Sequence, residues 1–596
     1  MKNKTLVLVE EIKSFLLFTK KNEIKNNDYN FYTTSYYLYS YLKKKNYIVE
    51  LADKYIKTND FDNIGQFSFK FSKEQKNITN SLCHWRKFYN IGDIISQSIF
   101  LNLNTYCYKN LILKKLILKA NKLKSKLIVI GFSKTNPNDF KLDRTENIFL
   151  VLAKKMKVKN LSFIDYNETN QNLKKIDKFS GELKKNLLSK TLILLDNNIS
   201  SIIFKIIKKL FKSILINPLS KNITYIYGEN YSYIENFLKI LINSKKIIFI
   251  KKIPKIEIHK TELTDHNQKK ILYQTYLNIS KNYSNLYLND NLIFDLFFQK
   301  YLNVTKSINN NLENQEKLFE KILIKKGKKN FLFCNGFYSI EEKLFEEFCL
   351  EKKIITIGFE HGLNTSISNF RKIYDNFHGS KKTKIGVYYT DQAKKFMNIV
   401  KPNQFKLVSG IPKKYKNSVI FNNKFFKFIL KKILNLPTKK KLVLLIADID
   451  VNNFILTPQR DTNYKYIKKT KILLNYIKKN LSNFHIVIKL YPGKRFINPY
   501  YFKDETNNQV SRLQNIDLRF IAQLFDKIIT TSTDSGLGWA LCSNKDLFFK
   551  SFYWSKSDYI YQELYNLNKR KLIKINKNDF LVMEDINFIK NIYKVK

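Results

Sequence analysis

Ile528-Ile529-Thr530-Thr531-Ser532-Thr533-Asp534-Ser535-Gly536-Leu537-Gly538-Trp539 is the stretch on which the fold turns. An apolar run enters a block of hydroxyl and carboxyl side chains, and two close glycines follow. The spacing predicts a strand over Lys527–Thr531 and a helix from about Ser535 to Cys542. A strand that ends in polar residues and passes straight into a helix is the repeating unit of a parallel α/β sheet, which places its ligands at the carboxyl ends of the strands. Free N–H groups at the helix start, together with the hydroxyls, make a ready anion site. Ser532 or Thr533 would also serve as N-cap. Capping alone explains neither the number of hydroxyls nor the paired glycines.

The same alternation runs outward along the chain. In the C-terminal part it predicts strands over Lys441–Ala447, His485–Leu490 and Lys545–Lys550, with helices over Tyr464–Lys479 and Asp517–Phe525. Further back it predicts strands at Asn330–Cys334, Ile354–Phe359, Val387–Thr390 and Lys406–Ser409, with helices at Ile340–Glu351 and Asp391–Val400. In the first half the strands are Thr5–Val9, Ile48–Leu51, Lys126–Gly131, Leu161–Ile164, Thr191–Leu195, Ile223–Tyr227 and Lys246–Ile250, with helices at Phe31–Lys44 and Glu146–Lys155. The expected organisation is an N-terminal α/β region over 1–254 and a helical insertion or connector over 255–327. The rest of a Rossmann-like half follows over 328–425, and a C-terminal Rossmann-like domain over 426–596.

The 596 residues suit three to four domains at about 150 residues each, and 44% apolar residues are ample for large cores. Gly 15 and Pro 9 are too few for a collagen-like or linker-rich chain. No apolar run is long enough to span a bilayer. Met1–Val9 meets Glu10-Glu11 too soon for a signal-peptide core, so a first strand is expected there. Five cysteines without a CxxC pair argue against a disulfide framework and a Cys-rich zinc site, and a reducing cytoplasm is expected.

The net charge of +56 invites a nucleic-acid reading, yet only eight of the 106 basic residues are Arg. Bidentate phosphate and guanine contacts favour Arg. Lys, Asn, Ile and Tyr are inflated together, as codon bias in an AT-rich genome would produce. No specific nucleic-acid partner is expected, and no helix-turn-helix or zinc-finger pattern occurs. The basic surface should still attract anions. Ser201–Ile216 places Ile203, Ile206, Ile207, Leu210 and Ile214 at helical spacing opposite Lys205, Lys208, Lys209 and Lys212. It reads as a basic amphipathic helix, packed on a sheet or touching an anionic membrane.

Three more motifs fall at strand ends. Gly358-Phe359-Glu360-His361-Gly362 delivers a carboxylate and an imidazole, and Gly362 permits a tight turn. An imidazole there suits general-base work near neutrality, and an ordinary loop histidine is the plainer alternative. Ser409-Gly410-Ile411-Pro412 sets a fixed turn. Ile486-Val487-Ile488-Lys489-Leu490-Tyr491-Pro492-Gly493 ends a strand in a lysine that could meet a phosphate.

In this order, EHG, GxP, K-x-Y-P and a Ser/Thr-rich turn, the chain resembles bacterial GT-B-fold transferases of surface-polysaccharide biosynthesis. These include the capsule and lipopolysaccharide glycosyltransferases and the CDP-glycerol-type glycerophosphotransferases. The likeness covers about residues 327–555. His361 and Gly362 match the family's HG, Gly410 and Pro412 its GxP, Lys489 and Pro492 its K-x-HP, and Ser532-Thr533 its phosphate turn. The fold it implies is α/β and GT-B-like, with two Rossmann-like domains facing a cleft and a long decorated N-terminal half.

The activity the resemblance implies is transfer of a sugar or polyol phosphate. The donor would be a nucleotide sugar or CDP-alcohol, and the acceptor a glycan or lipid-linked molecule. Lys489, Tyr491, Ser532, Thr533, Ser535 and Gly536 would bind the donor. His361 would act as base with Glu360 beside it. Gly362, Gly410, Pro412 and Pro492 would shape the turns. The family needs no metal or other cofactor, although Asp448-Ile449-Asp450 forms a DxD pattern that could hold Mg²⁺. The location implied is cytoplasmic, at or near the inner membrane face. Two departures stand out. Tyr491 replaces the family's His and cannot carry a positive charge, and Glu360 replaces Gln or Trp. Thr533-Asp534-Ser535-Gly536 also resembles the TDSGG turn of UDP-N-acetylglucosamine 2-epimerases, with the second glycine displaced to Gly538. An epimerase of the same fold is therefore the competing enzyme reading. A nonenzymatic protein that binds nucleic acid or membrane through its basic face is the third.

Overall fold

Thr5-Leu6-Val7-Leu8-Val9 is almost wholly buried, as a strand covered on both faces must be. In the computed structural model it is β1, the centre of the first sheet. The structure describes residues 4–22, 28–82, 89–132, 147–166, 210–228, 232–256, 265–288, 291–323, 329–335, 339–360, 383–388, 394, 398, 403–409, 423–447, 462–490, 502, 505–513, 516, 518–531, 545–549, 572–574 and 582–585. β1 is joined by β2 (Tyr29–Thr33), β3 (Val49–Leu51), β4 (Leu127–Gly131) and β5 (Leu161–Asp165). The order is β3-β2-β1-β4-β5, and every pairing is parallel.

The second sheet contains β6 (Ser213–Leu215), β7 (Ile223–Tyr227), β8 (Lys246–Ile250), β9 (Asn330–Cys334), β10 (Ile355–Phe359), β11 (Ile385–Tyr388) and β12 (Phe405–Val408). Its order is β12-β11-β10-β9-β7-β8-β6, with β6 antiparallel at the edge. The third contains β13 (Lys441–Ile446), β14 (Phe484–Lys489), β15 (Val510–Leu513), β16 (Lys527–Thr530), β17 (Asp546–Phe549), β18 (Leu572–Lys574) and β19 (Val582–Asp585). Its order is β15-β14-β13-β16-β17-β19-β18, parallel except for the last two pairings. The fold class is therefore α/β with parallel, doubly wound sheets, and the long N-terminal half carries two sheets of its own.

Two local expectations are corrected. The helix expected over Phe31–Lys44 begins only at Tyr36, with Ser35 as N-cap accepting from Leu38 N. The residues before it, Tyr-Asn-Phe-Tyr-Thr, form β2, because aromatic residues suit a strand buried against β1 and β3. The helix expected to end at Ile216 is overridden over Ser213–Leu215. That segment pairs antiparallel with β8, and strand pairing at an open edge outweighs helical periodicity. Its first nine residues, the strand expected at Thr191–Leu195 and the helix expected at Ser535–Cys542 lie outside the described residues, as does most of Asp391–Val400.

A layer of helices lies between the first two sheets. One continuous core joins Leu6 and Leu8 of β1 to Tyr225 of β7 and Leu332 of β9, through the helices Thr58–Leu82, Ile91–Lys122, His266–Ser280 and Asn291–Ile322. Its centre is aromatic. Phe67 meets Tyr276 edge-on at 5.3 Å and Phe71 meets Phe297 at 5.1 Å. Such pairs add about 0.5–1.5 kcal/mol each beyond their area burial. The first and third sheets meet differently, at their carboxyl ends. Tyr36 and Leu51 share a core with Val443, Leu445, Ala447 and Tyr466, and Asp53 Oδ2 accepts the Tyr464 N–H at 3.2 Å.

Candidate active site

In the third sheet the chain leaves β13 toward β14 on one side, and β16 lies on the other. The gap between β13 and β16 is thus the topological switch point, where the loops diverge and leave a crevice. Ile446, near the end of β13, is in register with Lys489 on β14 and with Thr530 on β16. The lysine and the start of the Ser/Thr turn therefore flank one residue at the same level. At ordinary strand spacing they are about 10 Å apart. Thr530 and Thr531 are buried, and Thr531 Oγ1 lies 3.4 Å from the Tyr466 hydroxyl. Lys489 is 3% exposed, and its ammonium donates to the Leu490 carbonyl. Its charge is thereby turned back to the carboxyl edge.

In the second sheet Glu360 directly follows β10 and is 2% exposed. Its N–H donates to the Val387 carbonyl at 3.0 Å. β10 lies beside β9 and β11, one strand from that sheet's own switch point between β7 and β9. Of the other residues expected at the site, His361, Gly362, Gly410, Pro412, Tyr491, Pro492, Ser532, Thr533, Ser535 and Gly536 lie outside the described residues, as do Asp448 and Asp450. Among the described residues no group of three or more His, Cys, Asp or Glu could hold a metal ion.

The first sheet carries a polar centre that the motifs did not indicate. Its switch point is between β1 and β4. Glu10 follows β1, and both carboxylate oxygens are engaged. Oε1 accepts Thr34 N–H at 2.7 Å and the Thr33 hydroxyl at 3.3 Å; Oε2 accepts the Thr34 hydroxyl at 2.6 Å and Lys109 Nζ at 3.2 Å. The side chains of Glu10 and Lys109 are each 4% exposed, and the Lys109 ammonium also sits 4.5 Å from the centre of the Phe149 ring. Next door, Glu11 is only partly buried. Burial, then the Glu10 charge, raises its carboxyl above the ordinary range, against the nearby Ser14 hydroxyl and the charges of Lys13 and Lys109. On β4, a side chain on Gly131 would come within 2.1 Å of Asn147 Nδ2, and Asn147 caps the helix Ile148–Lys155. The signal was the pair Glu10-Glu11 directly behind an apolar strand.

No protein-family model matches the chain, and no curated protein does. Among solved structures, a Staphylococcus aureus MnaA–UDP co-structure is 12% identical and covers 55% of this chain and 78% of its own, at a TM-score of 0.30. A putative UDP-N-acetylglucosamine 2-epimerase from Listeria monocytogenes is 10% identical over the same shares, also at 0.30. The UDP-GlcNAc 2-epimerase from Neisseria meningitidis bound to UDP-GlcNAc is 13% identical and covers 52% and 77%, at 0.26.

Proposed function

We propose that the chain is a group-transfer enzyme. It takes a sugar or polyol phosphate from a nucleotide-activated donor and passes it to a hydroxyl of a glycan or lipid-linked acceptor. The observation that carries this reading is the register of Lys489 and Thr530 on either side of Ile446 at the switch point of the third sheet. It brings together two motifs that lie 41 residues apart in the sequence. The donor's phosphates would lie on Lys489, Tyr491, Ser532, Thr533, Ser535 and Gly536. The lysine charge and the N–H groups of the following turn would stabilise the leaving diphosphate, with no metal required. For a glycosyl donor, the acceptor oxygen bonds to the anomeric carbon as the bond to the diphosphate breaks. His361 takes the hydroxyl proton, and Glu360 orients its imidazole. Gly362, Gly410, Pro412 and Pro492 hold the turns.

General-base assistance contributes about 10²–10⁴ in rate. His361→Ala should therefore lower transfer at saturating donor by roughly that factor while donor affinity survives, because the donor phosphates sit on the third sheet. A folded variant with an unchanged transfer rate removes the base assignment. The TDSG run at Thr533–Gly536 supports epimerisation as a second reading. Incubation with UDP-N-acetylglucosamine and no acceptor, followed by proton NMR, separates the two. A 2-epimer supports epimerisation, and product only with added acceptor supports transfer.

A further inference from the structure

The helix Lys424–Ile433 leads into the third sheet and is anchored by a single fully buried side chain, Leu430. Asn423 caps it, accepting from Phe425 N at 2.8 Å and Phe426 N at 3.4 Å. Its inner side leans toward the third sheet. Lys427 and Lys431 are held below the usual lysine range, chiefly by burial, and both feel Asp526 and Lys545. The outer side is apolar where a surface helix should be polar. Phe425 is 72% exposed, Phe428 44%, Ile429 36% and Ile433 51%. At 100° per residue these positions form one stripe along the helix. Lys424 borders it and Lys432 stands within it at the C-terminal end; both are exposed, and the Lys432 ammonium lies over the Phe428 ring at 4.7 Å.

We infer that this helix is a membrane-docking element, lying flat on an anionic lipid surface with Phe425, Phe428 and Ile433 in the acyl boundary and the lysines among the headgroups. An apolar stripe accompanied by exposed lysines is the pattern of interfacial helices. Charge selects the occupant. Two copies of a chain with net charge +56 repel each other at a lysine-lined face, whereas acidic headgroups attract it. Duplex nucleic acid would satisfy the lysines and leave the stripe in water, and a single strand could stack on the phenylalanines but would leave Ile429 and Ile433 uncovered. The inference concerns a surface other than Ser201–Ile216 and does not depend on which group is transferred, so its failure leaves the proposed reaction standing.

The test uses the full chain and vesicles of phosphatidylcholine with or without phosphatidylglycerol, at physiological salt. So basic a protein will show some charge-driven adsorption, and the readout must therefore report insertion. Phe425→Trp should shift its fluorescence to the blue, and brominated lipid should quench it, only when phosphatidylglycerol is present. Phe425→Ser/Phe428→Ser should weaken co-sedimentation about tenfold or more, since burying each ring contributes strongly to partition. Its circular dichroism should match the parent chain, because the rings are exposed. An introduced indole that brominated lipid leaves unquenched, or a double variant that sediments like the parent, overturns the inference. So does a dimer of the parent chain, seen by sedimentation equilibrium, that the double variant abolishes.

Discussion

Glu10 and Lys109 show what a single pair does at the centre of a sheet. The carboxylate fastens the end of β1 to Thr33 and Thr34 at the end of β2, and the ammonium ties both to the helix Ile91–Lys122. Removing one partner leaves a buried charge uncompensated, which typically costs about 3–5 kcal/mol. Lys109→Met should show that loss in urea unfolding, and a loss within a few tenths would mean that the pair is dispensable. Glu11 predicts a pH effect of opposite character. Its carboxyl is raised in the folded chain, so between the unfolded and folded values the folded state binds more protons, and stability falls as pH rises through that window. Glu11→Gln removes the fall. The variant should melt above the parent at neutral pH, and the gap should close toward pH 4. A gap independent of pH would contradict the shift. At this scale the sequence was partly legible. Lys489 and Glu360 stand at strand ends, as the apolar runs before them indicated. Glu10 and Lys109 were not found, because 99 residues separate them and only the fold brings a lysine in mid-helix to a strand end.

Among the elements, strands with continuous apolar runs read well. Ile223–Tyr227, Lys246–Ile250 and Asn330–Cys334 stand where the pattern put them. The failures have physical causes. The helix Ile91–Lys122 is buried on several sides by β4, the helix Thr58–Leu82 and the helix Asn291–Ile322, so it has no single apolar stripe to detect. β15 is four residues long at the sheet edge, too short and too polar to stand out. Between β4 and the next helix, close approach is built on Gly131. Gly131→Ala would push the Asn147 side chain off its cap on Leu150 N. Losing such a cap costs about 1 kcal/mol. A drop of that size in thermal unfolding is expected, and an unchanged midpoint would show that Asn147 can move without penalty.

For the molecule as a whole, the strand–helix alternation was enough for the α/β class and for the parallel third sheet. The placement of sheets relative to one another was not readable, since it depends on pairs such as Asp53 with Tyr464, 411 residues apart. That contact sets the carboxyl ends of the first sheet against those of the third. The proposed donor edge thus has Tyr36, Leu51 and Asp53 of the N-terminal sheet near it as well as its own loops. Donor binding at that edge is what the whole reading requires. The direct measurement is calorimetric titration of the full chain with a panel of nucleotide sugars and CDP-alcohols, repeated on Ser532→Ala and Lys489→Ala after confirming that each is folded. One nucleotide-diphosphate donor should bind the parent chain, and both variants should bind it at least several-fold more weakly. A parent chain that binds none of the panel, or variants that bind as tightly as the parent, would contradict a donor site at the switch point of the third sheet.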